Sequence, residues 1–128
     1  LMAAPTVDED VEMAIKLNLL GDVLDDVRLR NRTIKALTSL SAINKKAPNA
    51  ADTKAIWANT TTKSLLRKWV VGEMIMRGNR DRFERDIADY PPELVQEVAL
   101  KLLKQKATTS SKSFQATLSE YLEAEDDA

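Results

Sequence analysis

Lysine and arginine are the residues of this sequence whose type and spacing suggest chemistry. The stretch "DDVRLRNRTIK" (25–35) passes from two aspartates to four cations within a segment whose pattern predicts one helix. At 100° per residue, Arg28, Arg32 and Lys35 fall within about 60° of one another, opposite the apolar stripe of that helix. Such a row of cations suits the phosphates or carboxylates of a partner. Arg30 lies at the margin of the apolar stripe, so we expect it to pair with an acid or to snorkel.

Further cations follow this row along the chain. Arg77 and Arg80 flank a Gly–Asn turn and have few acidic neighbours in the sequence. Arg82 and Arg85 alternate with acids, so we expect them to form local ion pairs. The predicted binding site for nucleic acid or an acidic partner therefore comprises Arg28, Arg32, Lys35, Lys45, Lys46, Lys63, Arg77 and Arg80.

The net charge of −1 conceals a strong segregation of charge along the chain. Residues 1–27 hold one lysine and seven acids, giving −6, and residues 28–85 hold fourteen Lys and Arg against four acids, giving +10. Residues 86–128 hold four lysines and nine acids, giving −5. Two interpretations stay open. The basic middle forms one surface that attracts a polyanion, or acidic segments packed beside it neutralise it.

The side chains most used in catalysis are missing. The sequence has no histidine and no cysteine, which removes the commonest general base, the commonest metal ligand and any thiolate site. The three glycines are isolated, so no glycine-rich phosphate loop exists. Asp22, Asp25 and Asp26 have spacings that could bind magnesium, but acids at a helix start usually serve as caps. We expect no enzyme, no cofactor, no metal site and no small-molecule substrate.

The elements that must position these cations are helices. Few glycines and prolines, together with abundant Ala, Leu, Lys, Glu and Arg, favour an all-α fold. The segment "LLRKWVVGEMIM" (65–76) is apolar around its whole circumference, which is typical of a buried helix. We predict a compact bundle of five to six helices around a buried central helix at about residues 62–77. Gly21 is predicted to end the first helix, and Gly78 or Asn79 to adopt a left-handed conformation after the central one.

The C-terminal part is predicted to be a separate unit. We divide the chain into a helical domain (1–106), a linker (107–113) and an amphipathic segment with an acidic tail (114–128), the linker acting as a flexible tether. Two roles of the segment stay open. It inserts into a groove of another subunit and makes a homo-oligomer, or it folds back as the last helix of its own bundle. The stripe that it would use comprises Phe114, Leu118, Tyr121 and Leu122.

No apolar run approaches the roughly 20 residues of a membrane span. The stretch "LMAAPTVDEDVEM" (1–13) lacks the basic and apolar regions of a signal peptide. We therefore expect an intracellular protein, cytoplasmic or nuclear, with no membrane partner.

Two segments carry a resemblance to a known family. "NRTIKALTSLSAI" (31–43) followed by "TTTKSLLRKW" (60–69) resembles the N-terminal helical domain of transcription elongation factor TFIIS and the related integrase-binding domains. Thr62 stands where that family has a glycine. The resemblance implies a helical bundle that docks short, disordered acidic motifs.

Two functions remain at this point. The first is a non-enzymatic nucleic-acid-associated binding or regulatory protein that uses the central basic surface. The alternative is a protein-interaction or adaptor domain, which docks acidic partner segments or self-assembles through its C-terminal segment.

Overall fold

Six α-helices make up the part of the chain that the computed structural model describes, residues 7–107 and 121–125. No strand occurs among these residues, so the predicted all-α class and number of helices are confirmed. A 3-10 turn, Ile87–Asp89, precedes the last helix. In chain order the helices are α1 (Val7–Val23), α2 (Val27–Asn44), α3 (Ala50–Asn59), α4 (Leu65–Arg77), α5 (Arg80–Asp86) and α6 (Pro92–Ala107).

Helix α4 is the predicted central helix. Seven of its 13 residues are buried, and Val70 and Val71 are fully enclosed. Trp69 is also enclosed, and its indole N–H donates to the hydroxyl of Thr38 in α2 (2.9 Å). A buried tryptophan contributes a large apolar area but needs a partner for its polar N–H. Thr38 of α2 supplies that partner. The prediction of a buried central helix is confirmed.

Arg67 lies within this apolar helix, yet it is only 7% exposed. Its guanidinium donates to the carbonyl oxygens of Trp57 (3.0 Å) and Thr60 (2.7 Å) and to the Thr60 hydroxyl (2.8 Å). It also pairs with Glu93 of α6 (3.0 Å) and lies 5.0 Å over the Trp57 ring. The last carbonyls of a helix lack partners within that helix. Arg67 therefore closes the end of α3 and joins it to α4 and α6.

Helices α1 and α2 form an antiparallel hairpin, and Gly21 has a different role from the predicted one. The glycine does not end α1, which continues to Val23. A Cβ on Gly21 would lie 2.9 Å from Cγ of Arg30, so glycine is needed here for the close approach of α2. Asp25, with φ of 50°, makes the left-handed turn, and the Asp26 side chain caps α2 by accepting from the N–H of Leu29 (3.1 Å).

The turn after α4 also differs from the prediction. Gly78 (φ −65°) and Asn79 (φ −99°) are both extended, and neither is left-handed. The Asn79 side chain instead accepts from the N–H of Arg82 (3.1 Å) and starts α5. The N-cap of α5, and not a left-handed residue, therefore stabilises this turn.

Large apolar side chains remain exposed on the outer faces of α1 and α6. On α1, Met13, Leu17 and Leu20 recur at helical spacing and are each more than a third exposed. On α6, Leu100 and Leu103 are more than half exposed. The expected homo-oligomer stays a prediction.

Candidate nucleic-acid interface

A groove of about 610 Å³ lies between the loop after α2 and the turn that joins α4 to α5. We call it the basic groove. Asp81 is the one acid among its described lining residues. Its cations come from two parts of the chain that are distant in sequence: Lys45, Lys46, Arg77, Arg82 and Arg85.

Local backbone geometry positions both rims of the basic groove. Lys45 ends α2 in the left-handed conformation (φ 56°), and its N–H donates to the carbonyl of Ser41 (2.8 Å). Asn49 begins α3 by accepting from the N–H of Asp52 (2.8 Å), so the short loop is capped at both ends. On the opposite rim, Arg82 and Arg85 of α5 are three residues apart, a spacing that brings side chains to one face of a helix.

Among the described residues, only two of the five groove cations form ion pairs. Lys45, Lys46 and Arg82 form no ion pair with any residue in the described ranges. Arg85 pairs with Asp86 (3.2 Å). Sequence alternation correctly predicted the local pairing of Arg85. Arg82 forms no ion pair with a described residue, but its charge adds to that of Arg85 in lowering the pKa of Asp86.

We expected Arg77 and Arg80 to have fewer immediate partners than Arg82 and Arg85, yet both form ion pairs. Nε of Arg77 contacts the carboxylate of Glu73 at 2.8 Å, and Glu73 is only 3% exposed. Burial raises the pKa of Glu73 above its ordinary value, while Arg77 opposes this shift. Arg80 pairs with Glu84 at 3.1 Å on the surface. A helical spacing of four residues produces both pairs.

The predicted row Arg28, Arg32 and Lys35 is exposed along α2. Arg32 and Lys35 have no ion-pair partner within residues 7–107 and 121–125, whereas Arg28 takes part in an interaction within the chain. The row lies in the first half of α2, and Lys45 and Lys46 follow the end of the same helix.

Lys63 does not join this surface. It lines a separate cavity of about 220 Å³, together with Arg30, Asn31, Tyr121 and Glu123. The structure thus brings together Lys45, Lys46 and Arg77 of the predicted site and separates Lys63 from them.

Acids border the basic groove on the side of α1 and α3. Asp8, Asp52, Lys46 and Arg82 line a neighbouring cavity of about 70 Å³. Burial raises the pKa of Asp52, and the negative charges of Glu12 and Asp8 raise it further. The cations of the groove therefore meet an acidic boundary on one side.

Two aromatic rings lie at the base of the groove. Phe83 and Tyr90 stack with ring centroids 5.3 Å apart and planes inclined by 19°. Tyr90 is 5% exposed, and burial raises its pKa. These rings support the groove and offer little free face for stacking on a base.

The predicted interaction stripe falls partly outside the described residues. Phe114 and Leu118, like most of the predicted linker, lie in the range 108–120, which the structure does not describe. Tyr121 is 8% exposed and belongs to the hydrophobic core, and Leu122 packs against that core. Both are therefore in contact with their own bundle.

Compared with the profiles of known protein families, with curated proteins and with solved structures, the chain matches none of them. No described helix combines the length and the apolar character needed to cross a membrane. Within the described ranges, no three acidic side chains lie close enough together to hold a metal ion.

Proposed function

We propose that the chain is a non-enzymatic binding or regulatory protein that holds the phosphate backbone of nucleic acid in the basic groove. The main observation behind the proposal is that one groove is lined by five cations, Lys45, Lys46, Arg77, Arg82 and Arg85. Its described lining has a single acid, Asp81.

The pairing state of these cations favours an external anion. Lys45, Lys46 and Arg82 have no ion-pair partner among the described residues, so like charges face one another across the groove. A polyanion relieves that repulsion and releases its condensed counterions when the cations neutralise phosphates. The acids Asp8 and Asp52 line a cavity that shares Lys46 and Arg82 with the groove, so they repel an anion from that border.

The groove favours phosphates over bases. Its aromatic pair, Phe83 and Tyr90, is stacked and partly or fully buried, so few ring faces are open to unpaired bases. Contacts from Lys and Arg to phosphates carry no sequence information. We therefore expect binding that depends strongly on salt and weakly on sequence.

The cationic row gives the surface the length that a backbone ligand requires. Helix α2 has 18 residues and so extends about 27 Å. Duplex DNA carries one negative charge per about 1.7 Å of axis, so a duplex bound along α2 would present several phosphates to the helix. Arg32 and Lys35 supply charge along that length.

A binding assay with a matched control tests the proposal. Fluorescence anisotropy of a labelled duplex and a labelled single strand is followed at low salt with wild-type chain and with Lys45→Glu/Lys46→Glu/Arg82→Glu. The control, Lys63→Glu/Lys68→Glu/Lys101→Glu, changes the net charge equally at exposed lysines outside the groove. We expect the groove variant to lose binding and the control to keep most of it. No binding by the wild-type chain at low salt, or equal loss in both variants, contradicts the proposal.

An acidic protein segment is the second candidate for the same groove. Ile43 and Met76 directly precede the lining residues Asn44 and Arg77 in sequence, and they are 73% and 48% exposed. Exposed apolar residues next to cations suit a peptide with both acidic and apolar side chains. Competition separates the two candidates. If the groove is built for protein, such a peptide should displace bound duplex far better than poly-glutamate of equal charge. If the groove is built for nucleic acid, it should not.

A further inference from the structure

A short C-terminal segment, Tyr121 to Glu123, is held in a way that resembles recognition of a peptide. Its partners in α2 lie more than 90 residues earlier in the chain. Three kinds of contact hold it: a two-point contact to backbone, a two-point contact to a carboxylate, and a seat for an aromatic ring.

The backbone contact is made by Asn31, which is 3% exposed. Its Nδ2 donates to the carbonyl of Glu123 (3.0 Å), and its Oδ1 accepts from the N–H of the same residue (3.0 Å). A side-chain amide that satisfies both backbone groups of one residue acts as a neighbouring strand does. It fixes the position of the segment independently of the side chain there.

The carboxylate contact is made by Arg30. Its Nε donates to Oε2 of Glu123 (2.7 Å) and its Nη2 to Oε1 (2.9 Å), a bidentate pair. This confirms the expectation that Arg30 pairs with an acid. Its Nη1 donates to the carbonyl of Gly21 (2.9 Å), so the body of the bundle orients the guanidinium. Such a planar fork selects a carboxylate at this position.

The aromatic seat is formed at Gly72 of α4. A Cβ on Gly72 would collide with the hydroxyl group of Tyr121, so the absence of a side chain there makes room for the ring. Tyr121 itself is 8% exposed. The missing side chain at Gly72 therefore accommodates the tyrosine two residues before the acid.

We propose that Arg30, Asn31 and Gly72 form a peptide-recognition site for the pattern Tyr-x-Glu, and that it takes this segment from a second copy of the chain as well as from its own. The three contacts described above lie within residues 121–123, so they do not depend on which copy supplies the segment. Because each copy carries both the site and the segment, mutual exchange is symmetric and closes as a dimer. None of the three site residues lines the basic groove.

Two complementary full-length variants test the exchange. Tyr121→Ala/Glu123→Ala keeps the site and lacks the segment, whereas Gly72→Ala keeps the segment and blocks the seat. We expect each variant alone to be monomeric in analytical ultracentrifugation and their mixture to form a one-to-one heterodimer. Absence of a complex between two folded variants, checked by circular dichroism, overturns the proposal.

A peptide of residues 118–128 provides a second test that does not depend on these variants folding. Added in excess to ¹⁵N-labelled wild-type chain, it should displace the cis segment and shift the signals of the Asn31 side-chain amide and of Tyr121. Glu123→Ala in the peptide should lower its affinity at least about tenfold, as expected for loss of a bidentate charged pair. Glu125→Ala in the peptide, at an exposed residue, should leave it unchanged. Unshifted signals at saturating peptide mean that the segment is only part of the fold and refute the proposal.

Discussion

Arg67 of α4 and Arg82 of α5 carry the same guanidinium group in opposite surroundings. Arg67 is 7% exposed and donates to Thr60, to the Trp57 carbonyl and to Glu93. Arg82 lines the basic groove and forms no ion pair with a described residue. The first arginine joins three helices, and the second forms no ion pair within the described part of the chain, as the proposed binding requires.

The difference shows why counting cations in a sequence does not locate a binding surface. A cation belongs to the fold when it lies beside carbonyls that have no other partner, as at the end of α3. It remains available when the nearby backbone is already capped, as Asn49 and Asn79 cap the helices on both rims of the groove. The two conditions predict different responses to substitution.

The largest effect is expected at Arg67. Arg67→Ala removes its hydrogen bonds and leaves partly buried carbonyls at Trp57 and Thr60 without this donor. We therefore expect a loss of about 3–5 kcal/mol in the free energy of unfolding. Urea denaturation followed by circular dichroism measures it. Arg67→Lys keeps the charge without the planar fork and should lie between wild type and alanine. A loss under about 1 kcal/mol in Arg67→Ala would place Arg67 in the same class as Arg82.

Arg77 is intermediate between these two arginines, because it pairs with the buried Glu73 and also lines the basic groove. The pH dependence of stability tests this. Burial raises the pKa of Glu73, so the folded state binds a proton more tightly than the unfolded state does. The contribution of Glu73 to stability is therefore highest below its ordinary pKa of 4.5 and falls as pH rises toward the raised folded pKa. Arg77→Ala removes the opposing charge and raises that pKa further.

The measurement is the free energy of unfolding of wild type and Arg77→Ala at several pH values from acid to neutral. We expect the deficit of the variant to widen as pH rises, because the unpaired carboxylate must ionise in a buried site. In the background of Glu73→Gln, the deficit should be smaller and independent of pH over this range. A deficit of constant size in both backgrounds would show that Arg77 acts only through packing.

Neutralising the groove should leave the fold intact. For Lys45→Ala/Lys46→Ala/Arg82→Ala we expect a stability within about 0.5 kcal/mol of wild type, because no ion pair among the described residues is lost. Thermal denaturation of both chains measures this. Strong destabilisation would mean that these cations belong to the fold as Arg67 does.

The smallest effect is expected at Arg80. Its pair with Glu84 joins two side chains that are 87% and 63% exposed, and such surface pairs contribute little. Arg80→Ala should change the free energy of unfolding by less than about 0.5 kcal/mol, and moderate salt should reduce even that difference. A loss as large as that of Arg77→Ala would remove the distinction between exposed and buried pairs.

The fold could be predicted further than the site. The apolar circumference of residues 65–76 is a local signal, and it correctly indicated the central helix. Gly21 was misjudged as a helix end because its function, close contact with Arg30, depends on tertiary packing. Glycine in sequence does not distinguish a stop from a close approach.

The basic groove could not be predicted from any local pattern in the sequence. Lys45 and Lys46 were predicted from exposure and charge, but their neighbours across the groove come from α5, far along the chain. Alternation with acids led us to expect a local pair for Arg82, whereas helical geometry directs it to the groove. The spacing of Arg82 and Arg85 on one helical face was the signal that could have revealed them.

The salt dependence of duplex binding tests the central claim most directly. The logarithm of the association constant falls with the logarithm of salt concentration by about 0.9 for each phosphate neutralised on duplex DNA. If Lys45, Lys46 and Arg82 each neutralise one phosphate, the wild-type slope should be steeper by about 2.7 than that of Lys45→Ala/Lys46→Ala/Arg82→Ala. An equal slope in the two chains would contradict the account, because the groove cations would then make no phosphate contact.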